Sequence, residues 1–190
     1  MKKLLLIVLA LTLMLACVSC GEDYKTLETF ISAVEATSPK GMVLEIEQET
    51  ALGTLNATVM VAYNEDGSSV IEYYYEKFNA IGEGDGVKST VTGKITCDKD
   101  GNYTGDLTGK VESAAALKLS LDADKMKNLK FNDNMFSAII ESADTEAVLG
   151  VEIASDVSLV VAKAADKIST VTMTYTTEAG DVTVKCSYNN

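Results

Sequence analysis

Four cysteines carry the most reactive side chains in this 190-residue chain, and no histidine accompanies them. A thiol acts as a nucleophile only as the thiolate, and a neighbouring imidazole is the usual base that generates it. The same absence removes histidine-based serine triads and most catalytic zinc sites. Carboxylate pairs of the kind used in glycoside hydrolysis remain available, but no sequence feature singles out one pair. We therefore predict a protein that is not an enzyme and that uses no metal or cofactor.

The charge of the chain is strongly acidic, which bears on its partners. All 16 basic residues are lysines, 28 residues are Asp or Glu, and the formal net charge is −12. Nucleic-acid binding rests on neutralising phosphates with Lys and Arg. We therefore predict no nucleic-acid partner and interpret the acidity as a source of solubility and of repulsion at a crowded surface.

The N-terminus has the composition of an export signal. Lys2 and Lys3 precede a largely apolar run over residues 4–16, and a short segment containing Cys17 and Cys20 follows it. A positive start, a short apolar stretch and small residues at its end are typical of secretory signals. An apolar run of about 13 residues is too short to cross a bilayer of roughly 30 Å as a helix. The pattern therefore predicts export rather than a transmembrane span.

A cysteine placed directly after such a run resembles the signal of bacterial lipoproteins, whose first mature cysteine is diacylated. Cys20 follows Val18 and Ser19, and these residue types suit the two positions before the modified cysteine. Cys17, the alternative lipidation site, follows a small residue but has the larger Leu15 two positions before it. The resemblance implies a stable membrane anchor, because two acyl chains hold a protein at a bilayer where one does not.

The same resemblance divides the chain into three parts. Residues 1–19 are expected to be the lipoprotein signal peptide, residues 20–23 the anchor and linker, and residues 24–190 a single β-rich domain. About 170 residues are enough for one domain with a substantial core. The implied location is the extracytoplasmic face of the cell membrane or of the outer membrane, with the N-terminal lipid as the membrane contact.

Periodicity in the mature part predicts one N-terminal helix followed by many strands. Leu27, Phe30 and Val34 recur at helical spacing, and Pro39 lies where that pattern stops. Most of the following sequence alternates with period two, as half-buried strands do. Residues 122–149 depart from the alternation, and we expect one or two helices there that pack over the sheet.

Turn sequences between the strands predict how the strands pair. A three-residue loop over residues 65–67 places Val61 opposite Ile71 and keeps the apolar faces of both strands together. In the last hairpin, a two- or four-residue connection that places Tyr175 opposite Val184 has the same effect. We therefore predict these two registers.

Glycines on the apolar face of a predicted hairpin are candidates for lining a ligand cavity. The turn at residues 98–102 sets a register in which Gly93, Gly105 and Gly109 face larger side chains. Glycine weakens a strand interior unless something needs the room. A strongly bent sheet or close helix packing would explain the three glycines, and so would space for a ligand.

Apolar side chains in the predicted helical insert are the complementary candidates. Met135, Phe136 and Ile139 fall at spacings that bring them to one side of a helix. Such residues are commonly core filler, and methionine in particular adapts to irregular gaps. They would equally serve as the helical wall of a cavity whose other wall is the glycine-containing hairpin.

The two remaining cysteines, Cys97 and Cys186, lie on the apolar faces of their predicted strands. An exported protein can form disulfides, and a bridge that closes so long a loop would contribute about 4 kcal/mol in the chain-entropy model. Two buried free thiols are the alternative, and sequence order does not choose between them.

Together these elements predict an α+β, β-rich fold. We expect a curved antiparallel sheet, a half-barrel of about nine strands, covered by the N-terminal helix and the helical insert. In element order the mature domain resembles the envelope lipid-carrier lipoproteins related to LolA and LppX, in which a curved half-barrel encloses an acyl-chain cavity beneath helices. The arginine at the cavity mouth of LolA-type carriers has no counterpart, because the chain contains no arginine.

Two functions follow from these observations. The first is a membrane-anchored, non-enzymatic, extracytoplasmic lipoprotein that binds a lipid or another hydrophobic ligand. A filled, well-packed sheet interior would count against this first function. The second is a surface-displayed interaction or scaffold module that binds a protein or a glycan, to which an outward-facing Tyr74 would contribute.

Overall fold

In the part of the chain that the structure describes, ten antiparallel strands form one continuous sheet. The computed structural model describes residues 26–81, 85–105, 119–132 and 134–190. Short 3₁₀ turns precede β6 and α2. In chain order the elements are α1 (residues 26–36), β1 (Gly41–Thr50), β2 (Gly53–Tyr63), β3 (Ser69–Ile81), β4 (Asp85–Cys97), β5 (Tyr103–Gly105), β6 (Lys127–Asn132), β7 (Met135–Ile140), α2 (Thr145–Leu149), β8 (Val157–Ala164), β9 (Lys167–Thr177) and β10 (Gly180–Asn189).

The sheet consists of two meanders that meet at the first and last strands. The strand order is β5-β4-β3-β2-β1-β10-β9-β8-β7-β6, so that β1 and β10 pair at the centre. Leu44 of β1 lies opposite Cys186 on one side and Val59 on the other. Because the partners in this central pair come from opposite ends of the chain, the sheet is complete only when the two ends have met.

Buried side chains form rows across one face of the sheet, which we call the inner face. Successive strands contribute residues at matching register positions, so each row crosses both meanders. Burial of such apolar area stabilises the fold by roughly 25 cal/mol per Å². One fully buried row runs from β7 to β3 and consists of Phe136, Val161, Val171, Cys186, Leu44, Val59 and Tyr73.

Helix α1 docks on the inner face through its apolar stripe. The ring of Phe30 meets Phe136 edge to face, with 4.9 Å between ring centroids, and lies 6.4 Å from Phe131. After the helix, the hydroxyl of Thr37 accepts a hydrogen bond from the backbone N–H of Ile168 in β9, with 2.8 Å between the atoms. The predicted N-terminal helix is therefore confirmed.

The predicted fold class is confirmed, with ten strands rather than about nine. Within the described ranges, β5 and β6 are the edge strands, and the sheet does not close on itself. The predicted register of the β2–β3 hairpin is also confirmed, since Val61 lies opposite Ile71. In the β4–β5 hairpin, Ile95 lies opposite Gly105, as the turn at residues 98–102 predicts.

The predicted helical insert is wrong for most of its length. The segment instead contains β6 and β7, and its one α-helix, α2, has only five residues. In β7, Phe136 faces inward and Met135 and Ile139 face outward, so apolar residues occur on both faces of the strand. Apolar residues at i, i+1 and i+4 imitate helical spacing, and that coincidence accounts for the error.

The predicted register of the last hairpin is also wrong, by one residue on each strand. Tyr175 lies opposite Val182 rather than Val184, and Gly180 pairs with Thr177 across a two-residue connection. Gly180 has φ of +141°, and a Cβ there would lie 2.0 Å from the carbonyl oxygen of Glu49. Close approach to β1 therefore requires glycine as the first residue of β10, outside the turn.

Candidate functional site

The space beside Gly93 is filled by the protein itself. Gly93 lies opposite Tyr73 in the β3–β4 pair, and a Cβ added to Gly93 would lie 2.1 Å from the Tyr73 Oη and 2.2 Å from its Cζ. The tyrosine ring therefore lies directly over the glycine, and Tyr73 itself is buried. Gly93 makes room for a core side chain rather than for a ligand.

Gly105 does not provide a cavity wall either. Gly105 has φ of +121°, and a Cβ there would lie 2.5 Å from the backbone oxygen of Lys94. Backbone conformation and close strand approach therefore explain glycine at this position. Gly109 lies outside the described residues.

The three apolar residues predicted to form the helical wall of a cavity are divided between the two faces of β7. Phe136 is buried on the inner face among the rings of Phe30 and Phe131. Met135 and Ile139 are 45% and 36% exposed on the other face, which we call the outer face. Strand alternation separates them, so these residues do not line a common cavity with Phe136.

Cys97 and Cys186 are free thiols, which is the second of the two alternatives that the sequence leaves open. Three strands separate β4 from β10, which amounts to roughly 19 Å along the sheet at about 4.8 Å per strand. Cys186 lies in the core with its Sγ 3.9 Å from the Sδ of Met42, and burial raises the pKa of its thiol to about 11. A protonated, inaccessible thiol is not a nucleophile.

The predicted lipidation sites, Cys20 and Cys17, lie outside the described residues. In the part of the chain that is described, no helix combines the length and apolar composition needed to cross a bilayer. Nor do three or more carboxylate or thiol side chains come together there as a metal site would require.

An open apolar groove of about 300 Å³ lies on the outer face across β1, β2 and β3. Val43 and Met60 are 37% and 47% exposed in this groove, and Val70 completes its apolar surface. Glu72 lies at its border and is paired with Lys94 at 2.9 Å. We call this the apolar groove.

A second groove of about 350 Å³ lies further along β1 and β2, extends onto β10, and is lined mainly by polar side chains. The two rows of outward side chains that line it come from β10, β1 and β2 in register. Among them, Lys185 and Glu45 form an ion pair at 3.0 Å. The outward residues of this polar groove are Lys185, Glu45, Thr58, Thr183, Glu47 and Asn56.

The three consecutive tyrosines of β3 divide between the two faces, as the alternation predicts. Tyr73 and Tyr75 stack on the inner face with 6.2 Å between ring centroids. Tyr74 lies on the outer face, opposite Thr58 of the polar groove. Its hydroxyl donates a hydrogen bond to Glu76 Oε1 at 3.3 Å.

The sequence-based prediction placed the ligand cavity on the apolar face of the sheet, so it did not identify either groove on the outer face. The apolar groove has a signal in the sequence, because Val43, Met60 and Val70 occupy the outward phase of strands whose other outward residues are mostly polar. The polar groove has none, since threonine, glutamate and asparagine are ordinary residues for a solvated strand face. Only the pairing of β1 with β10 assembles that groove.

Comparison with known proteins does not assign a family. No protein-family model matches the sequence, and no curated protein matches it at a significant level. LprF from Mycobacterium bovis is similar over 86% of this chain and 91% of its own, with 11% identity and a TM-score of 0.40. A putative outer membrane lipoprotein-sorting protein domain from Vibrio parahaemolyticus matches over 88% and 92%, with 11% identity and a TM-score of 0.30.

Proposed function

We propose that this protein is a non-enzymatic lipoprotein of the cell envelope that holds a hydrophobic ligand in the apolar groove. The observation that carries the proposal is the exposure of Val43 and Met60 side by side, with Val70, in a concave surface with charged residues at its border. Small-molecule sites are typically concave surfaces lined mainly by apolar side chains with a few polar groups. Transfer of an apolar chain into the groove removes both apolar surfaces from water.

The proposed ligand site differs from the arrangement that resemblance to LolA-type carriers implies. In those carriers the ligand lies between the sheet and its covering helices. Here the described inner face is filled where Tyr73 lies over Gly93 and where Phe30 packs on Phe136. A ligand on the outer face would leave these core contacts intact, so binding would not require the helix to move.

The N-terminal signal supports the envelope location. A diacylated Cys20 would place the domain beside a membrane, where acyl chains are abundant apolar ligands. The free hydroxyl, carboxyl and thiol groups of the described chain do not form a catalytic arrangement with a histidine, because the sequence has none. Binding and presentation of a ligand is therefore the proposed activity.

Replacement of Met60 by lysine is expected to weaken binding of a hydrophobic probe by roughly 10- to 100-fold, because one buried side-chain contact contributes about 1.5–3 kcal/mol. Fluorescence titration of the full chain with dansyl-labelled undecanoic acid measures this effect. Met135→Lys is the matched control, since Met135 is equally exposed on the outer face but lies on β7. Equal affinity in Met60→Lys and Met135→Lys, or no binding by the unaltered protein, would count against the apolar groove.

Replacement of Cys20 by serine is expected to release the protein from the membrane fraction, because the acylated thiol would be lost. Fractionation of the expressing cells and mass spectrometry of the N-terminal peptide measure the release and the acyl mass. Cys17→Ser is the control and is expected to stay membrane-bound. Release of Cys17→Ser alone would show that Cys17 is the acylated residue. Retention of both variants in the membrane fraction would contradict the lipoprotein assignment.

A further inference from the structure

The polar groove offers hydrogen-bonding groups that no other part of the described chain occupies. The Glu47 carboxylate and the hydroxyls of Thr58 and Thr183 have no side-chain hydrogen bond or ion pair among the described residues. Asn56 directs its amide nitrogen to Glu76, which leaves the carbonyl oxygen of its side chain available. The groove thus presents acceptors and rotatable hydroxyls together.

The aromatic ring of Tyr74 is held beside this groove by its own hydroxyl. The hydrogen bond to Glu76 joins two outward positions of the same strand, so the ring runs along the sheet surface rather than away from it. Glu76 is itself fixed by Lys88 at 3.0 Å and by the backbone N–H of Asn56 at 2.9 Å. These contacts also hold the pKa of the Glu76 carboxyl below its ordinary value, with the Lys88 hydrogen bond as the largest cause.

The charges around the groove favour a neutral ligand. An anion would meet Glu47 in a protein whose net charge is −12. The Glu45 carboxylate in the groove and the Glu76 carboxylate beside it are already paired with Lys185 and Lys88, so Glu47 is the carboxylate of the groove lining that is left for a cation. An apolar chain would desolvate Thr58 and its polar neighbours without replacing their hydrogen bonds to water, which is unfavourable.

A neutral ligand rich in hydroxyl groups could form hydrogen bonds with each of the available polar groups of the groove. Sugar hydroxyls both donate and accept, so they match a carboxylate, an amide oxygen and two threonine hydroxyls. The C–H face of a sugar ring is apolar and packs on an aromatic ring such as Tyr74. We propose that the polar groove and Tyr74 form a binding site for a neutral oligosaccharide on the outer face of the sheet.

The test is isothermal titration of the full chain with chito-, cello- and manno-oligosaccharides of four to six units, in a detergent without a sugar head group. We expect at least one of these probes to bind. Tyr74→Ala is expected to raise its Kd at least tenfold and Glu47→Gln at least fivefold. Tyr74→Phe keeps the ring but loses the hydroxyl that holds it beside the groove, so it is expected to raise the Kd less than Tyr74→Ala does. Tyr63→Ala, at an exposed tyrosine outside the groove, is the control.

The outcomes separate this site from the apolar groove. Tyr74→Ala is expected to leave binding of dansyl-labelled undecanoic acid unchanged, because Tyr74 does not line that groove. Circular dichroism and thermal melting establish that each variant is folded. Glu47→Gln tests the site at a position where no side-chain hydrogen bond or ion pair to another described residue is lost. Absence of binding by all three oligosaccharide series, or binding that neither Tyr74→Ala nor Glu47→Gln weakens, would overturn the proposal.

Discussion

Replacement of Phe30 by alanine is expected to lower the free energy of unfolding by about 3–5 kcal/mol, because it removes a fully buried ring from the contact between α1 and the sheet. Phe30 packs on Phe136 and Phe131, and the Lys163 ammonium lies 5.2 Å from the centre of its ring. For a domain of this size each kcal/mol corresponds to roughly 2–4 °C in Tm. Urea denaturation and thermal melting measure the two quantities.

Met135→Ala is the matched control for this prediction. Met135 is the chain neighbour of Phe136 but faces outward and is half exposed. Surface substitutions of this kind usually change the free energy of unfolding by less than about 0.5 kcal/mol. If Phe30→Ala were as mild as Met135→Ala, α1 would not dock on the inner face.

Replacement of Gly93 by alanine is expected to lower the free energy of unfolding by about 1–3 kcal/mol, the range found for overpacked cores. The added methyl group would overlap the outer part of the Tyr73 ring, which must then leave its place in the core. An empty cavity at Gly93 predicts the opposite sign, since alanine in a strand is normally favoured over glycine by roughly 0.5–1 kcal/mol. Urea denaturation of the variant therefore distinguishes a filled space from a cavity.

A double-mutant cycle isolates the contact responsible. In the Tyr73→Leu background the ring atoms nearest to Gly93 are absent, so Gly93→Ala is expected to become neutral or stabilising. The coupling between the two substitutions would then be about 1–3 kcal/mol, as found for residues in direct contact. Additive losses in the double variant would show that Tyr73 does not occupy the space over Gly93.

Local sequence patterns were sufficient to predict those helices and strand pairs that are determined by residues close together in the chain. The stripe of α1 is visible because Leu27 and Phe30 recur at helical spacing. The β2–β3 register follows from matching apolar faces across a short loop, since a slip of one residue would turn Val61 and Ile71 to opposite faces. A period and a turn are properties of a few consecutive residues, so both can be identified without tertiary information.

The same reasoning failed where a strand carries apolar residues on both faces. In β7, Met135 and Ile139 on the outer face obscure the alternation of Phe136 with the other inward residues. The register predicted for the last hairpin was wrong for a related reason. Gly180 resembles a turn residue in the sequence, but glycine is needed there because the backbone carbonyl of Glu49 in another strand lies so close. In both cases another strand decides the outcome, since β7 pairs with β8 and Gly180 lies against Glu49 of β1.

The sequence by itself determined the β-rich class, the position of α1 and the composition of an export signal, since each depends on neighbouring residues. Only the tertiary structure decided that Cys97 and Cys186 lie on separated strands, that Tyr73 fills the space over Gly93, and that two grooves form on the outer face. These features depend on the pairing of β1 with β10 and on side-chain volumes across the sheet. The physical reason is that period-two patterning specifies which face a residue occupies, whereas packing between distant strands specifies what it meets there.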